Sequence, residues 1–377
     1  MEEPRINIGV LTSSRADYGI YLPLLKAIKS DSFFNLKIII FGTHLKDSYG
    51  YTLNQVLNDG FETNYTVDNL LNGDNPVDIS LSYANTVKLF GKFWGENDHE
   101  FDTVLCLGDR FEMAAAVNAG IPFNINFGHL HAGETSEGAI DNIYRDQITM
   151  ASKYHFVALN KFVSRVAQIV KRKDLITVTG AIGLENLKSI QLLDHSDFLK
   201  EWGIDMGITT ILLTIHPETV EFEMNQTHCE EICLTIQDLS EEYQILITLP
   251  NADTNGSIYR TSFEKLASRN KNIFTKDNLG TQSYFSALQM CKIVVGNSSS
   301  GILEAATFGK YVINIGDRQK NRICSDNVFH VNFDRVEIIK KVKENICKKY
   351  DGKNIYENNN GVSTIIKTLK NIEFYNR

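Results

Sequence analysis

The chain has 377 residues, a length that is typical of two domains of about 150 residues each. Its composition, with 43% hydrophobic and 22% charged residues, excludes extensive disorder. The net charge of -8 argues against a nucleic-acid or membrane partner bound through a broad basic surface and favours a small ligand. The only close cysteine pair, Cys229 and Cys233, lacks the second pair that a zinc site needs. We therefore expect no metal and no cofactor.

The sequence begins MEEPRINIGV, without an apolar run before a small-residue cleavage site, and no stretch of about 18 apolar residues follows. We therefore expect a cytoplasmic protein. Short β-branched runs alternate with longer amphipathic segments, which is the pattern of an α/β fold with parallel sheets. The first series of predicted strands covers 6–12, 36–42, 103–108, 122–128, 154–159 and 176–180. The second series covers 209–216, 243–250, 271–276, 291–297 and 311–316.

Because the strand pattern restarts after a polar segment over 181–208, we predict two Rossmann-like domains with a cleft between them. The predicted domains are an N-terminal domain over 1–180, a C-terminal domain over 181–355, and a C-terminal helix within 356–377 that packs back on the first domain. Ligands of such sheets bind beyond the carboxyl ends of the strands. The loops at those ends therefore hold the candidate functional residues.

Three of these loops favour a nucleotide. GNSSSGILEA follows a strand and opens a helix, so its serines and backbone N–H groups suit a phosphate, and Glu304 suits a ribose diol. The alternative is that Ser298 only caps the helix. GDRQKNR supplies Arg318 and Arg322, which suit a diphosphate unless they are solvated surface residues, and Arg15 follows the first strand. The chain lacks a GxGxxG fingerprint in the right context, which disfavours hydride transfer.

Other loops carry acid and base groups. Asp109 ends a strand in LGDRFEM, where the alternative is a helix cap with Glu112 reaching back. His216 ends the strand of LLTIHP, although a lone histidine is more often packed or solvated. HLHAGETSEGAID spans 129–141 and concentrates proton carriers in a short turn, with an alternative surface salt bridge between Asp141 and Arg145.

Seven motifs occur in order along nearly the whole chain: RADYG, GTHLKDSYG, LGDR, HLHAGE with GAID, IHP, GNSSSGILEA and GDRQKNR. In this the chain resembles the hydrolysing UDP-N-acetylglucosamine 2-epimerases of bacterial sialic-acid and legionaminic-acid synthesis, whose fold is the two-domain glycosyltransferase-B architecture. The resemblance implies a metal-free reaction in two halves. Anti elimination of UDP gives a 2-acetamidoglucal, and water then adds with inversion at C2. The implied products are UDP and N-acetylmannosamine, and the implied assembly is a homodimer or homotetramer.

Several proton carriers are needed because one proton leaves C2, another returns from the opposite face, and water must be activated. Asp109 and Asp141 match the carboxylates of the family. At the third position many relatives have glutamate in HxE, whereas this chain has His131, with Glu134 following in HAGE and Glu137 as a further carboxylate. Either His131 carries the proton, or Glu134 takes the role. The departure leaves UDP- or GDP-linked di-N-acetylbacillosamine open as the substrate beside UDP-N-acetylglucosamine.

The motifs and the resemblance together give a predicted site of two groups. The catalytic group is Asp109, His131, Glu134, Asp141 and His216. The nucleotide-binding group is Arg15, His44, Asn251, Asn297, Ser298, Ser299, Ser300, Gly301, Glu304, Arg318 and Arg322. Two other classes of protein share parts of this pattern: a glycosyltransferase of the same fold, which needs an acceptor and one base, and a nucleotide-sugar-binding protein without activity.

Overall fold

The computed structural model describes residues 6–136, 139–188, 190–220, 222–250 and 256–371. These residues form two compact units. The first comprises 6–134, 141–188 and 356–371, and the second comprises the described residues of 135–140 and 190–355. The sequence placed the domain boundary between 180 and 181. In the structure the following 3-10 helix, Ile182–Lys188, still belongs to the first unit and contacts its first helix.

The first unit contains a seven-stranded parallel sheet of order β3-β2-β1-β4-β5-β6-β7. Its strands are β1 (Ile6–Thr12), β2 (Phe34–Phe41), β3 (Tyr65–Val67), β4 (Thr103–Leu107), β5 (Phe127–Leu130), β6 (Tyr154–Val157) and β7 (Ile176–Val178). Its connecting helices are α1 (Arg15–Ser30), α2 (Leu53–Asn58), α3 (Pro76–Asn97), α4 (Phe111–Gly120), α5 (Asp141–Ala151) and α6 (Asn160–Val170). Because helices cover both faces, the central strands are apolar on both sides, as the sequence indicated.

The second unit contains a six-stranded parallel sheet of order β10-β9-β8-β11-β12-β13. Its helices are α7 (His195–Trp202), α8 (Asn225–Leu239), α9 (Gly256–Ala267), α10 (Gly280–Met290), α11 (Ser299–Leu303) and α12 (Arg335–Asn345). Its strands are β8 (Thr210–Thr214), β9 (Gln244–Thr248), β10 (Ile273–Lys276), β11 (Ile293–Gly296), β12 (Val312–Ile315) and β13 (Val328–Val331). Two apolar clusters lie on its two faces. The predicted α/β class with two Rossmann-like sheets is therefore confirmed.

The chain returns to the first unit at its end, where α13 (Gly361–Lys370) contacts α1. Short 3-10 helices occupy several connections: Gly42–Leu45, Asp47–Tyr49, Asp98–Glu100, Ile121–Phe123, Ile182–Lys188 and Phe222–Met224. Among the helices that the structure describes, none combines the length and the apolar character needed to cross a membrane.

The strand predicted over 122–128 is wrong for most of its length. Pro122 lies in the 3-10 helix Ile121–Phe123, and Asn124 follows with a φ of 54°, so β5 begins only at Phe127. Proline cannot donate to a ladder and the left-handed residue ends the turn, which together override the apolar pattern. The predicted set also omits β3 and β13, which lie at sheet edges and are less buried than the central strands.

Candidate active site

Each sheet reverses its strand order at one point, between β1 and β4 in the first unit and between β8 and β11 in the second. Loops diverge there and leave a crevice at the carboxyl ends of the strands, which is where doubly wound sheets bind ligands. Arg15 follows β1, Asp109 follows β4, and His131 follows β5. In the second unit, His216 follows β8 and Ser298 follows β11. Both sets of predicted residues therefore lie at reversal points or beside them.

Asp109 is held by a buried arginine. Arg145, whose side chain is 3% exposed, donates from Nη2 to Asp109 Oδ2, while the aspartate side chain keeps 26% of its surface exposed. The guanidinium pairs with the carboxylate and fixes its direction. The alternative interpretation of Arg145 as a surface partner of Asp141 is wrong, because Arg145 is buried and reaches the end of β4 instead.

The interpretation of Asp109 as a helix cap is also wrong. The N-cap of α4 is Arg110, and no side chain caps that helix end. Glu112, which was to complete the cap, is fully buried and accepts hydrogen bonds from Arg110 Nε and from Ser13 Oγ. Asp109 therefore does not cap α4, and its partly exposed carboxylate lies beyond the carboxyl end of β4.

His131 and Glu134 form a buried pair in the turn after β5. The imidazole Nδ1 lies 2.5 Å from Glu134 Oε1, and the two residues are 7% and 0% exposed. Because Gly108 N–H donates to Leu130 O at 3.1 Å, the residues that follow these two strands, Asp109 and His131, leave the sheet side by side. The structure therefore joins the two candidates, His131 and Glu134, between which the sequence left a choice.

His129, two residues before His131, has a different character. Its Nε2 lies 2.8 Å from Gly108 O and its Nδ1 lies 3.0 Å from Thr149 Oγ1, so the ring ties β5 to β4 and to α5. Complete burial lowers the pKa of His129 to about 3. The ring is therefore neutral at physiological pH and serves as structure. Asp141 is the first residue of α5, one helical turn before Arg145, and is partly buried.

The remaining predicted residues of the first unit are Arg15 and His44. Arg15 is the first residue of α1 and is partly buried, directly after the Ser14 cap of that helix. His44 is fully buried, with Nε2 2.9 Å from Thr12 Oγ1 and Nδ1 2.7 Å from Thr52 Oγ1. Burial lowers its pKa. Since both ring nitrogens meet threonine hydroxyls, the geometry favours a supporting role for His44 over direct contact with a ligand.

In the second unit, Asn297 joins the loops after β8 and β11. Its Oδ1 accepts from the His216 backbone N–H at 2.7 Å, and its Nδ2 donates to His216 O at 2.9 Å. Gln319 Nε2 in turn donates to Asn297 O at 2.9 Å. The side chain of Asn297 is thus occupied by the backbone of His216, which favours a role in positioning that histidine rather than in holding a nucleotide.

The serine loop contains a short helix. Ser298 is the N-cap of α11 and accepts from Ser300 N–H, so the predicted cap is present, and α11 has only five residues. Ser299 is exposed and Gly301 is buried. Tyr284 Oη donates to Ser300 Oγ at 2.5 Å, and Ser300 Oγ donates to Glu304 Oε2. Because α11 is so short, these side chains, rather than a helix dipole, are the loop's main chemical feature.

The two predicted arginines follow β12 and behave differently. Arg318 is partly buried, and its Nη1 donates to Pro217 O at 2.9 Å. Arg322 is 8% exposed, and its Nη1 donates to Gln319 Oε1 at 2.9 Å. The loop after β12 is therefore tied to the loop after β8, and neither guanidinium is the solvated surface group that the alternative interpretation expected.

Two residues of the sequence interpretation, Asn251 and Glu137, lie outside the described residues. Within the ranges that the structure describes, no group of three or more histidine, cysteine, aspartate or glutamate side chains is arranged to hold a metal ion. Sequence reasoning missed the roles of Arg145, Tyr284 and Gln319. Of these three residues, only Arg145 has a signal in the sequence, which is its position one helical turn after Asp141.

Known proteins are similar to this chain over most of its length. The sequence profile of the family described as UDP-N-acetylglucosamine 2-epimerase matches residues 26–370. The chain is 30% identical over 374 residues to the hydrolysing UDP-N,N'-diacetylbacillosamine 2-epimerase of Legionella pneumophila, covering 97% of this chain and 96% of that protein. It is 30% identical over 324 residues to the hydrolysing GDP/UDP-N,N'-diacetylbacillosamine 2-epimerase of Campylobacter jejuni, covering 85% of this chain and 83% of that protein.

Among solved structures, the fold is similar to that of the Neisseria meningitidis UDP-GlcNAc 2-epimerase bound to UDP-GlcNAc. The TM-score is 0.79 at 19% identity, and the match covers 97% of this chain and 100% of that chain. At this identity the likeness shows the fold alone, while the profile match extends over most of the chain. The protein therefore belongs to the UDP-N-acetylglucosamine 2-epimerase family.

Proposed function

We propose that the protein is a hydrolysing 2-epimerase that acts on a UDP-linked 2-acetamido sugar. In the first half of the reaction, a base removes the C2 proton and UDP leaves from C1, which gives a 2-acetamidoglucal. In the second half, water adds to C1 and a proton returns to C2 from the opposite face. The products are UDP and the free sugar with inverted configuration at C2.

The placement of the acid and base groups carries this proposal. Asp109 and His131 follow adjacent paired strands, and Arg145 connects Asp109 to α5, whose first residue is Asp141. Three proton-carrying side chains thus lie beyond the carboxyl ends of the strands of one sheet. A reaction that removes a proton from one face, returns one to the other, and activates water requires more than a single carrier. A binding protein has no need of such a set.

The second unit supplies the nucleotide site in this proposal. Ser300 and Glu304 already share a hydrogen bond next to the reversal point of the second sheet. Arg318 and Arg322 come from the adjacent loop, and guanidinium groups suit the oxygens of a diphosphate. Glu304 accepts from the ribose hydroxyls, for which a carboxylate offers several lone pairs.

Two sugars are candidates. The two relatives at 30% identity both bear the name of a hydrolysing diacetylbacillosamine 2-epimerase, so UDP-linked di-N-acetylbacillosamine is the first substrate that we propose. The second is UDP-N-acetylglucosamine, which is supported by the family description and by a relative of that name in Neisseria meningitidis with 27% identity over 338 residues.

The experiment incubates the full chain with each UDP-sugar in deuterium oxide, without any acceptor. We expect release of UDP together with the 2-epimeric free sugar, and deuterium at C2 of that sugar, because the returned proton comes from a group that exchanges with solvent. A product that keeps the substrate's own C2 hydrogen would rule out the elimination. A nucleotide-linked epimer would indicate a non-hydrolysing enzyme, and the absence of turnover until an acceptor is added would indicate a glycosyltransferase.

A further inference from the structure

The turn after β5 has an unusual backbone. His131 has a φ of 60° and Gly133 a φ of 72°, so two residues of the four-residue segment 131–134 lie in the left-handed region. For a histidine this conformation is costly and persists only where the surroundings impose it. Residues in such conformations cluster at functional sites, so the strained backbone favours a functional role for the His131 ring.

Neighbouring elements impose this conformation. Ala132 N–H donates to Phe156 O at 3.3 Å, which fixes the turn to β6. A Cβ atom on Gly133 would lie 2.6 Å from Val166 Cγ2 and 3.1 Å from Phe162 O, so α6 packs directly on the backbone there. The turn is therefore held on two sides, and the His131 ring is directed by rigid elements.

The two nitrogens of the His131 ring have different surroundings. Nδ1 lies 2.5 Å from the carboxylate of Glu134, which is fully buried. Within the described part of the chain, the buried Nε2 has no hydrogen-bond partner. An ionised carboxylate only accepts hydrogen bonds, so the neutral ring carries its proton on Nδ1 and presents the lone pair of Nε2.

We propose that His131 Nε2 is the base that removes the C2 proton, and that Glu134 is the positioning residue that makes it so; the chemical step rests on the proposed function. The C2–H bond breaks and its proton goes to Nε2. The electron pair of that bond forms the C1=C2 double bond, and the C1–O bond breaks as UDP leaves with its electron pair. Glu134 fixes the tautomer before the reaction and stabilises the imidazolium after it, as the carboxylate does in a serine protease triad.

This assignment gives His131 and Glu134 unequal tasks. Glu134 is fully buried and its Oε1 already faces the imidazole, whereas the His131 side chain keeps 8% of its surface exposed, so the ring is the more accessible part of the pair. Asp109, on the neighbouring strand, is partly exposed and remains for the other proton transfers of the reaction.

The first test does not depend on turnover. Nitrogen-15 NMR of the resting full chain reports which ring nitrogen of each histidine carries the proton, and His131→Asn identifies the signal of His131 by its loss. We expect the neutral ring of His131 with the proton on Nδ1. In Glu134→Gln the amide can turn its NH₂ group to Nδ1, and we expect the Nε2–H tautomer to appear. A wild-type ring protonated on Nε2 would overturn the proposal, whatever the protein catalyses.

The second test is a double-variant cycle on turnover of the UDP-sugar. We expect His131→Asn and Glu134→Gln each to lower kcat by about 100-fold or more, the scale of a general base, with little change in KM. Because the two residues act as one unit, the double variant is no slower than the slower single variant. Independent, multiplying losses, or a His131→Asn variant with nearly full kcat, would refute the proposal.

The matched control is Glu100→Gln. Glu100 pairs with Lys37 near the amino end of β4, whereas the candidate site lies at the carboxyl ends of the same strands. Replacing Glu100 therefore leaves kcat unchanged. If wild-type protein turns over neither UDP-sugar, the proposed function fails, and the NMR test still decides whether Glu134 sets the tautomer of His131.

Discussion

The sheets of the two units share the same order over six strands, yet the loops at their reversal points carry different chemistry. The first unit presents groups that gain and lose protons, namely Asp109, His131 with Glu134, and Asp141. The corresponding loops of the second unit present hydroxyls, amides and guanidinium groups held in a hydrogen-bonded network. In the function that we propose, one topology thus serves proton transfer in one unit and anion binding in the other, since the loops, not the strands, define the chemistry.

The proposed difference between the two units would be wrong if Asp109, an acid at the reversal point of the first unit, were not needed for catalysis. Asp109→Asn keeps the shape of the side chain but removes its charge, so we expect kcat to fall by about 100-fold or more while the affinity for UDP is unchanged. Steady-state kinetics and calorimetry measure the two quantities separately.

Asp102→Asn is the control, because Asp102 precedes β4 at the opposite end of the strands, where its Oδ2 accepts from the Asn7 backbone N–H at 2.8 Å. Thermal unfolding is measured beside each variant, since Asp109→Asn leaves Arg145 buried with a neutral partner. If Asp109→Asn lost UDP affinity as strongly as it lost kcat, Asp109 would take part in nucleotide binding, and the proposed difference between the units would be wrong.

The units should also differ in their response to acid. Burial lowers the pKa of His129 to about 3 and lowers the pKa of His44 and His155, all in the first unit. In the unfolded chain a histidine has a pKa of about 6.5, so the unfolded state binds the proton first and stability falls as pH drops below that value. For His129 the loss at pH 5 amounts to roughly 2 kcal/mol.

Hydrogen exchange between pH 7 and pH 5 measures this difference. We expect the amides of β4 and β5 to lose protection before those of β8 and β11, because the desolvation that lowers the pKa of His129 is complete, whereas the desolvation that lowers the pKa of His330 in the second unit is partial. His129→Asn should flatten the pH dependence of the first unit. Equal acid sensitivity of both sheets would contradict the argument.

The strands and their end loops could be predicted because parallel sheets buried on both faces leave continuous apolar runs that end at polar residues. Other features depend on three-dimensional packing that no local pattern records. The burial of Arg145 follows from how α5 rotates against β4, and the contact of His131 with Glu134 requires a left-handed residue in the turn. The false strand at 122–128 shows the reverse error, in which an apolar pattern outweighed the turn signal of Pro122.

The proposed binding of the nucleotide by the second unit can be tested at Glu304. If its carboxylate accepts hydrogen bonds from the ribose, Glu304→Gln should weaken UDP binding by about tenfold or more, the effect of one charge-assisted hydrogen bond. Calorimetric titration of UDP measures it, and Glu344→Gln, which removes a partly exposed carboxylate on α12, is the control. Unchanged UDP affinity in Glu304→Gln would remove the ribose role from this residue.

The smallest expected effect separates structure from binding within the serine loop itself. Ser298 caps α11 by accepting from Ser300 N–H, whereas the Ser300 hydroxyl lies between Tyr284 and Glu304. Ser298→Ala removes only the cap, so we expect the free energy of unfolding to fall by about 1 kcal/mol. Ser300→Ala removes the hydroxyl that holds the Glu304 carboxylate, so UDP affinity should fall while the cap remains. Denaturant unfolding and UDP titration of both variants measure the two effects, and a Ser298→Ala variant that loses UDP affinity as strongly as Ser300→Ala would show that the cap and the binding site cannot be separated.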